Sequence, residues 1–304
     1  MNGREFERGM VLLGVLWAMA FCAVLAMAAS ATFRGLAGVV MIDRDRVQAE
    51  ALLSAGLEAA AGIVGSMQDA PLTEREVVIE LSTGSVRVRM QDEGGRIDIG
   101  KAPVELLAAL LRRVGADDDD ATMLARRIVA QRGPDRAPAA KVGKPDPSGA
   151  KSDASTTSPI VFTDVRQLAR IPGMRREWIT AISPLVTVFG SDSVNPLTAP
   201  VEVIEALPFF DEGRLDAFLA MRRGPLPDPE RLAFLVGPAQ KYLKAQSRGV
   251  VGLDLMARTT DGYRAAAQAF IVLLPDDKQP YRVLDWNPVS PPSDVDAAMP
   301  GDPR

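Results

Sequence analysis

The chain contains no histidine at all. That absence removes His-based general bases, Ser-His-Asp triads and imidazole metal ligands together. The only cysteine, Cys22, lies in an apolar run, so an intrachain disulfide is excluded and the redox compartment is not readable. Aromatic residues make up 5% of the chain, and the formal net charge of −4 argues against a general nucleic-acid binder. Proline is missing from the first 70 residues, which leaves an uninterrupted stretch for helix. At 304 residues there is length for a sizeable core, in one large domain or two modest ones.

The amino terminus carries the most information. A short leader with Arg4, Glu5, Glu7 and Arg8 ends at Gly9, and Met10–Phe33 follows with no ionisable side chain except Cys22. Such a run can cross a bilayer core, which takes about 20 helical residues. The leader charges cancel, so charge bias alone does not orient the span. In a secretory signal the cleavage site follows the apolar run; here the marked Gly junction precedes it.

Asp43–Met67 is rich in helix formers, and Leu53, Leu57, Ala60, Val64 and Met67 make one apolar stripe. The spacing predicts a single helix from Met10 to Met67, roughly 87 Å long, with Gly35 and Gly38 as candidate breaks. Two strands are predicted at Glu76–Leu81 and Ser85–Gln91, joined by Ser82-Thr83-Gly84. The alternation of Val86, Val88 and Met90 with Arg87 and Arg89 puts apolar side chains toward the helix. Val250–Ala257, Arg264–Leu274 and Tyr281–Trp286 read as an antiparallel meander. Five strands against one helix make a better sheet than either group alone. The region between them is then an insertion.

That insertion contains a duplication. Ala102-Pro103-Val104-Glu105 recurs as Ala199-Pro200-Val201-Glu202, a spacing of 97 residues. Arg132-Gly133-Pro134 recurs as Arg223-Gly224-Pro225, and Leu168–Gly173 is echoed by Leu232–Gly237. Each unit reads as a helical hairpin, with proline in the first helical turn and Gly or Pro closing the helices. Leu168–Ile182, with Gly173 at its turn, also fits a helix-hairpin-helix, which in nucleic-acid binders presents N–H groups to phosphate. A membrane-anchored DNA-binding or uptake protein is therefore the alternative function. Asp117–Asp120 is the densest carboxylate run; it suits either a helix first turn or hard cations such as calcium. Pro134–Pro159 reads as a linker, and the proline-rich tail from Asn287 is predicted not to extend the sheet.

The order of a basic-Gly junction, then an apolar helix, resembles the prepilin leader of the type IV pilin superfamily. Gly14, the fifth residue counted from Met10, stands where most pilin-like subunits carry Glu. With the length and the helical insertion, the chain resembles the protein K family of the general secretion pathway, the large minor pseudopilins of type II secretion. The resemblance covers most of the chain. It implies an α+β fold: a long N-terminal helix on an antiparallel sheet, with an all-α domain of duplicated helical hairpins, SAM-like or helix-hairpin-helix-like, inserted between strands.

The expected division is leader 1–9, transmembrane helix 10–33, first pilin-like part 34–92, insertion 93–248 with linker 134–159, remaining strands 249–286 and tail 287–304. It further implies cleavage after Gly9 by a prepilin peptidase, methylation of the Met10 amine, and an inner-membrane anchor with periplasmic bulk. The function implied is nonenzymatic: initiating and capping the tip of the pseudopilus. Implied partners are minor pseudopilins of types I and J, the major pseudopilin, the inner-membrane assembly platform, membrane lipid and secreted substrates, with nucleic acid not expected. Some relatives bind calcium in the inserted domain. No metal residue is assigned here, and calcium stays open.

Overall fold

The computed structural model describes residues 3–67, 70–132, 162–274 and 277–291. Helix α1, Gly3–Ser66, runs for 64 residues, about 96 Å at 1.5 Å per residue. Gly35 and Gly38 do not break it, and it includes the leader. Its buried positions include Ala49, Leu52, Leu53, Gly56, Leu57, Ala60, Ala61 and Val64, the spacing of one helix face.

Strands β1 (Arg75–Leu81) and β2 (Gly84–Asp92) form the expected hairpin. Val86, Val88 and Met90 are fully buried against α1, while Arg87 pairs with Glu76 at 3.3 Å and Arg89 with Glu74 at 2.7 Å on the opposite face. The inserted elements follow: β3 (Ile97–Asp98), α2 (Val104–Arg113), α3 (Asp118–Gln131), α4 (Arg176–Ile182), β4 (Val186–Thr187), α5 (Val201–Glu205), α6 (Leu215–Arg222) and α7 (Pro229–Leu235). The chain then returns as β5 (Val250–Thr259), β6 (Arg264–Leu273) and β7 (Tyr281–Val289). All pairings in this sheet are antiparallel, and the order is β1-β2-β5-β6-β7. Strands separated by the whole insertion, β2 and β5, lie side by side because both carry one face of apolar residues that only α1 covers.

One expectation fails at the end of the sheet. The tail from Asn287 was expected to leave the sheet, yet β7 continues through Pro288 to Val289, with Pro288 opposite Ala267. An edge strand tolerates proline because the missing N–H can face outward. The rest of the tail, and the linker 134–159, lie outside the described residues.

Two apolar cores result. One joins α1 to the sheet; the other runs through both copies of the duplication, from Leu106, Leu110 and Leu124 to Val203, Phe218 and Leu232. The copies are built alike. Ile97 pairs in parallel with Val186, and 97 residues later Val194 pairs in parallel with Leu243, so each unit is closed by its own first and last segments. Asp98 Oδ1 accepts from the Gly100 N–H at 2.7 Å, as Asn195 Oδ1 accepts from the Leu197 N–H at 3.2 Å. Asp98 thus makes the turn that Asn195 makes in the second copy. Pro103 and Pro200 both sit at the N-cap, one residue earlier than the expected first-turn position, with extended ψ of 158° and 152°. Arg132 donates back to the Ile99 carbonyl at 2.7 and 3.0 Å, and Arg222 to that of Ala199 at 2.5 Å, tying the second helix of each copy to the start of the first.

Candidate assembly surfaces

For a chain without catalytic histidine, the features to locate are those that anchor, join and present. Gly9, Met10 and Gly14 all lie within α1. Met10 and Gly14, four residues apart, fall on neighbouring turns of one helix face. From Val15 to Met27 every side chain is exposed, Trp17 at 73% and Met27 at 71%. No protein surface covers this stretch among the described residues. Among the described residues Asp43–Ser66 is the one stretch long and apolar enough to cross a membrane, with mean hydropathy 1.3, while Val15–Met27 is apolar but shorter. The stripe of Asp43–Ser66 is occupied by the sheet, however, and it carries Asp43, Arg44, Asp45, Arg46, Glu50 and Glu58, which argues against its burial in lipid.

The insertion is clasped to the helix and sheet by buried charge at the end of β2. The Asp92 carboxylate is buried, accepting from the Gly94 N–H at 3.1 Å and the Thr198 hydroxyl at 2.9 Å. Burial pushes its pKa up, against the opposing pull of those hydrogen bonds and of Arg248. Arg248, on the chain returning to β5, donates to the Val64 carbonyl at 3.0 Å, in the last turn of α1, and to that of Ala70 in the segment after it. Helix, sheet and second copy therefore meet at one point.

Glu93 is fully buried and pairs with Arg96 at 3.1 Å; Arg96 also donates to Gln91 at 2.7 Å. Burial raises the Glu93 pKa too. Its carboxylate lies directly over Gly252 of β5, where any Cβ would collide with it. Beside it Phe189 packs on Phe270 with ring centroids 4.5 Å apart, seating the first copy on the sheet face away from α1. At the far edge, the Tyr281 hydroxyl donates to Glu58 at 2.6 Å, and burial together with that contact pushes the phenol up to about 12.

The Asp117–Asp120 run is a helix start. Asp117 accepts from the Asp120 N–H at 2.7 Å as N-cap of α3, and Asp118 pairs with Arg112. Among the described residues no group of three or more His, Cys, Asp or Glu side chains could hold a metal ion. In Leu168–Ile182, Gly173 turns the chain at φ +89°, but Val165–Arg170 is a 3-10 turn and α4 has seven residues. Arg175 is stacked on Trp178, 4.5 Å from the ring centroid. Gly237, at φ +62°, occupies the same place in the second copy, so the turn belongs to the repeat.

Residues 88–191 match the family model for protein K of the type II secretion system. This part of the chain is similar to the protein K family. The matched span covers the second half of β2, Asp92 of the clasp and the first copy through β4. Among curated proteins none matches the chain. Among solved structures, the chain resembles a chain of the GspK-GspI-GspJ complex from the enterotoxigenic Escherichia coli type 2 secretion system. The identity is 17%, the TM-score 0.55, and the likeness covers 82% of this chain and all of that one. It extends the shared fold well beyond the matched protein K region. No finding points to nucleic acid. Sequence reasoning missed the clasp, since Asp92, Thr198 and Arg248 are far apart in the chain. One signal was present: Asp92-Glu93-Gly94-Gly95 puts two acids and two glycines at the end of a strand.

Proposed function

We propose that the chain is a minor pseudopilin of type II secretion, a structural subunit without catalysis that initiates and caps the tip of the periplasmic pseudopilus. The observation that carries this reading is the protein K match at residues 88–191, lying in a chain whose long helix is laid on an antiparallel sheet. The prepilin peptidase cleaves after Gly9, and the new Met10 amine is methylated. The apolar helix from Met10 to Phe33 anchors the chain once in the inner membrane, with the bulk in the periplasm. Residues 93–248 act as an inserted head domain on the pilin-like part. The partners are the pseudopilins of types I and J, by analogy with the three-protein complex that the fold resembles.

Gly14 supports a position at the tip. Where a Glu would offer its carboxylate to the methylated amine of the subunit above, Gly14 offers nothing. The Met10 amine can still meet the Glu of a subunit below. Such a charge pair is worth most in a dry helix bundle.

Replacing Gly9 with Leu is expected to block leader removal, leaving a chain that begins at Met1 and does not support secretion. Amino-terminal sequencing of membrane-extracted protein reads this directly. Wild-type protein should begin at N-methylated Met10, and normal processing of the variant would overturn the reading.

A further inference from the structure

The two edges of the sheet are built differently. On β7 the ladder is interrupted by a register shift at Phe270/Ile271 and carries Pro288, both devices that blunt an edge. β1 has neither. Its seven residues pair with β2 in unbroken register from Arg75–Met90 to Leu81–Gly84, and no described strand follows on its other side. It holds no proline and no glycine, and Val77, Val78 and Ile79 stand consecutively at its centre.

β1 also leaves apolar surface unburied on both faces. Val77 and Ile79 are only half-buried, where their neighbours Val86 and Val88 on β2 are fully buried. On the other face Val78 is 49% exposed, flanked two residues away by Glu76 and Glu80. Edge N–H and C=O groups next to exposed β-branched side chains form a template for another strand.

We propose that β1 is a docking edge for an extended segment of another protein, added as a sixth strand. In that segment an apolar residue lies opposite Val78, with Lys or Arg two positions away on each side. The charge pattern selects this occupant. β2 sets Arg87 against Glu76 and Arg89 against Glu74, just before β1, but only Ser85 opposite Glu80, so a strand on the free side complements this acidic face if it is basic. A second copy of this chain fits badly, since an antiparallel pairing of Val78 with its own copy sets Glu76 opposite Glu80. The inference does not depend on the pseudopilin assignment.

The test uses the full chain in detergent micelles and a blocked heptapeptide centred on Lys-Val-Val-Val-Lys. Amide hydrogen exchange across residues 75–81 is expected to slow about tenfold at saturating peptide. The Val78→Lys and Glu80→Lys variants, altered on the solvent face, should show unchanged exchange without peptide and lose the protection with it. The proposal is overturned by unchanged exchange at millimolar peptide. It is equally overturned if a Glu-for-Lys peptide protects as well. A dimer of the chain alone that Val78→Lys abolishes would show self-pairing and reject a foreign partner.

Discussion

Asp92 illustrates how a single carboxylate can be held in place and disfavoured at once. Its hydrogen bonds to Gly94 and Thr198 and its attraction to Arg248 favour the ionised form, but burial outweighs them and the pKa rises. A carboxyl whose folded pKa is raised contributes stability fully below its unfolded value. That contribution is lost as pH climbs toward the folded value. Asn at this position does not titrate, keeps the acceptor for Gly94 and can donate to the Thr198 oxygen. Asp92→Asn is therefore expected to melt at or above the wild-type temperature at pH 7. Its advantage should shrink as pH falls toward the ordinary aspartate range. Paired thermal melts at stepped pH check this, and an advantage that instead grew toward acid would contradict it. Glu93, also raised by burial, is a poorer probe. Removing its charge leaves Arg96 buried without its counterion, which costs more than the titration reports.

At the scale of elements, Gly173 and Gly237, both at positive φ, test whether the duplicated units share a turn or merely a sequence echo. Gly173 and Gly237 close equivalent segments at φ +89° and +62°, and beside each an arginine from an earlier element donates to a carbonyl of the turn. Arg127 reaches Pro172 at 2.5 Å and Arg214 reaches Leu235 at 3.2 Å. Ala at either site should cost about 1–2 kcal/mol, the penalty for an L-residue in this region, and Asn should cost less. Gly62, on the open face of α1 with nothing near a new Cβ, is the control. Ala there should stabilise by about 0.5–1 kcal/mol. Denaturant midpoints of these variants decide it.

The same elements show what was legible in advance. The helix stripe and the alternation along β2 could be read, because each encodes which side faces the core, and β1, β5 and β6 could be placed from their strand character and the turns between them. The last residues of β7 could not, since Pro288 is excluded only from strands paired on both sides. The parallel pairs Ile97–Val186 and Val194–Leu243 were invisible, being two short contacts between distant segments with no periodicity of their own. The repeat spacing was visible, and it predicted the common fold of the copies without revealing how each is closed.

For the whole molecule, order in an assembly follows from what each end of the helix can offer a neighbour. The clasp at Asp92 and Arg248 joins the C-terminal end of α1 to sheet and insertion, so that end of the helix is fixed to the head. Position in a filament then depends on the other end. Met10 and Gly14 lie on one face of α1; under the proposed cleavage after Gly9, an amine at the first and no carboxylate at the second would let the subunit enter one charge pair through its amine and none through residue 14. Restoring the carboxylate removes that asymmetry. Gly14→Glu is expected to let a further subunit add above, because burying the incoming methylated amine beside a carboxylate replaces burying it alone, which is strongly unfavourable in lipid or a helix bundle. Labelled variant protein should then appear along sheared pseudopili as well as at their ends, whereas the wild type appears at ends only. If Gly14→Glu also stays at the ends, the head inserted between β2 and β5 sets the tip position by bulk. In that case its removal, and no change at residue 14, would release the subunit into the shaft.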